Sequence, residues 1–157
     1  MKTMKKLLLV LILCTFAVAC TEKDDDNTSN TQVSTSDKKD YSGTITIGSG
    51  ENVFAEDSVS IQSELLTEGK MNLKMFQVKF SPYMPVRIDM GINGVNYSKQ
   101  LDGSYNISAD SIVPIAMGGE YPSYTITNLQ GSLTDSSITF NMNCGSYPVT
   151  YTGTIKK

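Results

Sequence analysis

Tyr41-Ser42-Gly43-Thr44-Ile45 and Tyr151-Thr152-Gly153-Thr154-Ile155 are near copies of each other, 110 positions apart. Successive side chains of an extended chain point to opposite faces. Each segment therefore puts Tyr, Gly and Ile on one face and Ser or Thr on the other. A first and a last strand with matching faces can pair, close the sheet and remove its exposed edges. Glycines at such positions suit the sharp bend of a closing sheet. A closed barrel is the expectation. The other reading is coincidence in a Thr- and Gly-rich chain, with an open sandwich.

The chain between these segments has period two rather than a helical period. Val86, Ile88, Met90 and Ile92 alternate with Arg87, Asp89 and Gly91, and Ile138, Phe140 and Met142 alternate with Thr139, Asn141 and Asn143. Threonines on a wet face suit half-buried strands. Turn residues separate the runs: Gly48-Ser49-Gly50, Glu68-Gly69, Asn93-Gly94, Asp102-Gly103, Gly118-Gly119, Thr134-Asp135 and Gly145-Ser146. Asn93-Gly94, flanked by alternating runs, is the strongest hairpin signal. Strands are predicted near 42–47, 56–65, 71–80, 85–92, 95–101, 104–113, 123–133 and 137–143, with a closing strand near 148–156. The fold class is all-β, an antiparallel meander barrel of eight strands, give or take one.

Upstream of this domain (41–157) the composition changes. Lys2, Lys5 and Lys6 precede an apolar run from Leu7 to Ala19, and Ala17-Val18-Ala19-Cys20 ends it. That order is a secretory signal, and about 13 apolar residues fall short of the roughly 20 that span a bilayer as a helix. Ala17 to Cys20 resembles a bacterial lipoprotein lipobox. The resemblance implies a signal peptide over 1–19, cleavage before Cys20 and acylation of Cys20, hence a membrane partner through a lipid anchor. An ordinary signal peptide with a chance cysteine is the alternative. Thr21-Glu22-Lys23-Asp24-Asp25-Asp26 resembles the acidic export signal of Bacteroidetes surface lipoproteins, which implies the outer leaflet of the outer membrane. The plain reading is a solvated charge run. Three adjacent aspartates lack the alternating spacing and glycine of a calcium loop. Residues 20–40 hold one aliphatic residue, Val33, and are expected to form a disordered leash. Its reach is roughly 25 Å, enough to lift the domain clear of headgroups.

Loss of residues 1–19 removes three of 13 basic residues and none of 16 acidic ones, leaving a net charge near −6. Without a basic patch, nucleic acid is disfavoured as a partner. Histidine is absent, and with it the common general base and metal ligand. Cys14 leaves with the signal and Cys20 carries lipid, so Cys144 has no partner for a disulfide. It reads as a small strand-end residue. No nucleophile elbow, zinc motif or phosphate loop is present. Glu56 and Asp57 are adjacent and point to opposite faces, so they make no acid/base pair. The reading is a non-catalytic protein without cofactor or metal.

The domain resembles the calycin-like, lipocalin-like β-barrel lipoproteins of Bacteroidetes. The resemblance rests on Tyr41 to Ile45, Met71 to Phe80, Pro85-Val86-Arg87-Ile88, Leu129 to Leu133 with Ser137 to Phe140, and Tyr151 to Ile155. It implies an eight-stranded meander barrel and brings no catalytic residue. The Gly-x-Trp start of ordinary lipocalins is absent, as is Trp.

An eight-stranded barrel is filled by side chains or holds one small ligand. Tyr83, Met84, Met117, Tyr121, Tyr124 and Tyr147 cluster around the expected loops and are the candidate binding residues. They equally suit a plug closing the barrel end. Ser81-Pro82-Tyr83-Met84-Pro85 is a stiff, apolar-tipped loop, the best single candidate for an interaction surface and equally suited to a buried end-cap. Asp57-Ser58-Val59 and Asp110-Ser111-Ile112 match the acceptor tripeptide of Bacteroidetes O-glycosylation at Ser58 and Ser111, although composition alone gives about one such match. The functional expectation is a surface-exposed outer-membrane lipoprotein that binds a small apolar molecule or a glycan. The alternative is a filled barrel that contacts a protein as adhesin, complex subunit or inhibitor. A hollow interior supports the first and a packed one the second.

Overall fold

The computed structural model describes residues 37–67 and 69–157. They form ten strands: β1 (Asp37–Ser49), β2 (Asn52–Leu65), β3 (Lys70–Val78), β4 (Ile88–Lys99), β5 (Tyr105–Ile112), β6 (Ile115–Ala116), β7 (Gly119–Glu120), β8 (Ile126–Leu133), β9 (Ser137–Cys144) and β10 (Tyr147–Ile155). Eight of them close a barrel in the order β1-β2-β3-β4-β5-β8-β9-β10, every pairing antiparallel. The closing pair is β1 with β10, from Tyr41↔Ile155 to Ile47↔Val149, with Gly43 opposite Gly153. The expected closure is therefore present. β6 and β7 form a short hairpin, and β6 pairs with β4 at Met90↔Ala116 and Gly91↔Ile115, on the edge of β4 that β5 takes from Asn96 onward.

Several boundaries differ from expectation, and β2 already starts at Asn52 instead of 56. β1 begins at Asp37, so residues 37–40 belong to a strand and not to the linker. Residues 122–124 form a 3₁₀ turn instead of the start of β8, consistent with Pro122 at its first turn. The hairpin expected at Asn93-Gly94 does not form, and β4 runs straight through it. Both residues bulge out of register opposite Asn72, whose Oδ1 accepts the Gly94 N–H at 3.2 Å. Gly94 has φ +80°, the backbone state that the dipeptide favours. The signal for a positive φ was correct, but a bulge used it instead of a turn.

Further bulges centre on Ser58, Gln77 and Asn128, all with positive φ. Each lets its strand bend so that the ring can close. Inward positions hold the core. Tyr41, Ile61, Leu73, Met90, Phe140 and Tyr151 are among the fully buried side chains. Burying one such side chain stabilises the fold by about 1.5–3 kcal/mol. The lumen is a packed core.

The two barrel ends are unlike. Asp37, Lys157 and the connections 66–69, 100–104 and 134–136 lie at one end, called here the terminal end. Connections 50–51, 79–87, 113–125 and 145–146 lie at the other, the loop end.

Candidate functional site

All six candidate binding residues fall in connections of the loop end or at their edges, and they divide into two groups. Phe80 follows β3 and is buried at the mouth. Tyr124 lies over it with ring centroids 5.1 Å apart, and Tyr147 adjoins it at 6.3 Å. Tyr121 stacks on Tyr124 at 5.1 Å and an interplanar angle of 11°. Tyr124 and Tyr147 are near parallel at 12°, 6.2 Å apart. Aromatic pairs at such distances add to their burial energy. Tyr121, Tyr124 and Met84 are half-buried and pack against the core. These residues plug the barrel end.

The plug is tied to the strands below it. The Cys144 thiol donates to Tyr124 O at 3.6 Å and lies 4.0 Å from Met90 Sδ. Burial pushes that thiol up to about 12, so it carries no reactive thiolate at neutral pH. Burial, with smaller effects from Tyr147 and Tyr121, raises the Tyr124 phenol.

The second group faces outward. Tyr83 is 93% exposed at the tip of 79–87, and Met117 is 76% exposed in the β6–β7 turn. Met117 and Gly118 both have positive φ there, as a two-residue hairpin loop of this hand requires. Tyr147 belongs to both groups, packed on the plug yet 36% exposed. It lines a groove of about 350 Å³ with Val53, Phe54, Pro82 and Tyr83, edged by Glu51 and Asn52. A separate groove of about 320 Å³ lies on the outer wall beside Met117, between Lys74, Asp89 and Ile115. The sequence reading missed Phe80, Val53 and Phe54. Nothing in the sequence separates Phe80 from an ordinary strand residue, and β2 was expected to start only at 56.

Loop 79–87 is held at its base. The Ser81 hydroxyl accepts the Tyr83 N–H at 3.2 Å, and Ser81 O accepts the Met84 N–H at 3.1 Å. Arg87 donates to Gln77 O at 2.8 Å and forms an ion pair with Glu56. Asp89 Oδ1 accepts both the backbone N–H and the side-chain amide of Gln77. These bonds hold the Asp89 carboxyl below the usual carboxylate range. Tyr83 thus stands on a fixed base.

The other sequence candidates lie elsewhere. Cys20 and the Asp24 to Asp26 run are outside the described residues. Ser58 and Ser111 are exposed, on β2 and β5, and are not brought together. Among the described residues no group of three or more His, Cys, Asp or Glu side chains is placed to hold a metal ion.

Fold and surface together define a closed, antiparallel eight-stranded barrel with a packed lumen and an aromatic end. No family model matches the chain, and neither a curated protein nor a solved structure matches it.

Proposed function

We propose that this chain is a lipid-anchored, non-catalytic recognition module that contacts a protein partner through the loop end of its barrel. One contrast carries the reading. The lumen is filled, while Tyr83, Val53, Val86 and Tyr147 are exposed at the end opposite the one where the chain enters. A filled barrel leaves recognition to its surface, and exposed apolar residues rimmed by polar ones are the usual mark of a protein contact. The lipobox-like Ala17 to Cys20 and the acidic run after it support an outer-membrane, cell-surface location. The resemblance to calycin-like lipoproteins agrees with that location. A second reading keeps the groove and changes the occupant. Tyr83 and Tyr147 beside Glu51 and Asn52 offer flat apolar faces with hydrogen-bonding edges, which also suits a glycan.

A photo-crosslinking amino acid at position 83, in cells making the anchored chain, tests the protein reading. The expected product is a discrete protein adduct that Val53→Asp abolishes. Adducts only with polysaccharide favour the glycan, and no adduct at all rejects the loop end as a contact surface. Loss of fatty-acid labelling in Cys20→Ala tests the anchor. Protection from external protease in an Asp24, Asp25, Asp26 to Ala variant tests surface export.

A further inference from the structure

Leu101 stands alone on the outside of the molecule. It is 110% exposed, at the tip of the β4–β5 turn. Leu66, 38% exposed, occupies the neighbouring β2–β3 connection. The two connections meet through bonds between their elements: Tyr97 donates its N–H to Gly69 O at 2.8 Å and its hydroxyl to Leu66 O at 3.1 Å. Tyr97 in turn meets the Tyr105 ring edge-on at 5.4 Å. The β2–β3 connection that bears Leu66 is thus tied to β4, which leads into the Leu101 turn, at the end where the chain enters the barrel.

Charge separates this end from the other. Six of the nine lysine and arginine residues of 37–157 lie at the terminal end, where six acids balance them by sequence position. In the loop half, Lys74, Lys79 and Arg87 stand against six acids, including Glu51, Asp57 and Glu120. The negative excess of the barrel thus lies away from its chain entry. At the terminal end, Lys38 pairs with Glu64 and Lys39 with Asp135. Lys99 and Lys157 make no ion pair among the described residues. Lys99 is two residues from Leu101, and Lys70 follows the connection that bears Leu66.

We propose that the terminal end of the barrel docks on a phospholipid surface, with Leu66 and Leu101 inserted at the headgroup boundary and Lys70, Lys99 and Lys157 facing headgroup phosphates. The proposal rests on the anchored reading above. Only 16 residues separate Cys20 from Asp37, and they enter β1 at this end, so the leash that is long enough to lift the domain off the headgroups also lets this end, and not the other, rest on them. Lys99 and Lys70 stand near the two exposed tips, and Asp102 beside Leu101 is occupied by bonds from the Ser104 N–H and hydroxyl. Such tips suit an interface in which side chains enter the acyl boundary and cations stay at the phosphates. At the loop end Lys79 and Arg87 share a connection with Tyr83 and Val86, but acids outnumber cations in that half and the chain enters at the far side. Docking would orient the barrel, with Tyr83 and its groove facing away from the membrane.

The chain contains no tryptophan, so a single introduced one reports its own surroundings. Leu101→Trp and Tyr83→Trp are made in the full chain, which is extracted from membranes and reconstituted in phosphatidylcholine vesicles containing phosphatidylglycerol. The expected result is a blue shift of the Leu101→Trp emission and its quenching by brominated acyl chains. Tyr83→Trp should show neither, and adding Leu66→Asp to Leu101→Trp should remove the shift. A water-like, unquenched Leu101→Trp on chains that sediment with vesicles overturns docking and leaves the anchor standing. A quenched Tyr83→Trp also overturns it, because the other end then faces lipid. Mass spectrometry of the peptide containing Cys20 reads the anchor separately, so a missing acyl group is told apart from a failure to dock.

Discussion

The phenol ring of Tyr151 lies across Gly153, two residues further along the same strand. A Cβ on Gly153 would sit 2.5 Å from the Tyr151 hydroxyl oxygen and 2.8 Å from two of its ring carbons. Tyr151 cannot swing aside at no cost. It is fully buried, stacks on Phe140 at 5.5 Å, and donates its hydroxyl to Val59 O at 2.9 Å on β2, across β1 from its own strand. One tyrosine therefore ties three strands at the seam of the barrel, and the glycine makes room for it.

Gly153→Ala is expected to destabilise the protein by about 1–3 kcal/mol, the usual cost of overpacking a filled core. Gly50→Ala is a contrasting control, since nothing lies within 4 Å of its Cβ position. Its φ of +62° leaves only backbone strain, so a smaller loss is expected. Urea unfolding of the two variants checks the order. Equal losses would mean that the seam has slack.

Tyr151 and Cys144 also give the barrel an alkaline limit. Burial pushes the phenol from 10.0 to about 12 and the thiol from 9.0 to about 12. In both cases the folded state holds its proton longer than the unfolded chain does. The stability they contribute is therefore complete below about pH 9 and is lost as pH rises toward 12. Melting temperatures from pH 7 to 12 should be level at first and then fall. Cys144→Ala should move the onset of the fall upward, toward the ordinary tyrosine value. In the native protein at pH 8, a thiol reagent should leave Cys144 unmodified until denaturant is added.

Arg87 has a structural task beneath the exposed loop. Glu56 keeps a buried carboxylate oxygen, Oε2, without a hydrogen-bond partner, while Oε1 faces the Arg87 guanidinium. Arg87→Ala leaves that half-buried carboxylate without its ion pair and frees Gln77 O as well. A loss of about 1–2 kcal/mol is expected, since an unpaired buried charge costs more than an exposed pair contributes. Glu56→Gln in the same chain should restore part of it. A full loss in the double variant would mean that the Arg87–Gln77 bond matters more than the charge.

The closing pair was legible because it depends on alternation alone. Tyr41, Gly43 and Ile45 share a face whatever lies around them, and so do Tyr151, Gly153 and Ile155. The mouth was legible as a set of residues but not in its division of labour. Tyr121, Tyr124 and Tyr147 are equivalent as letters, and only the tertiary position of Phe80 decides which rings stack beneath the surface. Asn93-Gly94 was misread for a related reason. The dipeptide encodes a positive φ, and whether a chain reverses or bulges there depends on the partner strand. Here Asn72 supplies the acceptor that a turn would have supplied internally. The β6–β7 hairpin escaped notice because two-residue strands carry no periodicity.

Gly94→Ala tests that account of the bulge. With φ at +80° and nothing within 4 Å of the Cβ position, any effect comes from backbone strain alone. A loss of about 1 kcal/mol is expected. Asn72→Ala removes the acceptor for the Gly94 N–H and should cost a similar amount. The double variant should lose less than the sum of the two, because both act on one bulge. Strict additivity in denaturant titrations would show that Asn72 does not stabilise the bulge through this bond.

Tyr83 and Met84 are neighbours in sequence and opposites in structure. Tyr83 is almost wholly in solvent, while Met84 is half-buried and packs against the core beneath the plug. A double replacement would confuse contact with stability, so the two must be changed singly. Tyr83→Ala should leave the melting temperature where it is, since an exposed ring gives the fold little, and should cut the affinity for a partner at the loop end. Truncating a central aromatic anchor typically costs about 2 kcal/mol, roughly a thirtyfold loss. Met84→Ala should instead lower the melting temperature, by an amount corresponding to about 1 kcal/mol or more. Thermal scans of the two single variants decide the matter. If Tyr83→Ala lowers the melting temperature as much as Met84→Ala does, loop 79–87 is part of the core lid, and the contact surface lies elsewhere on the barrel.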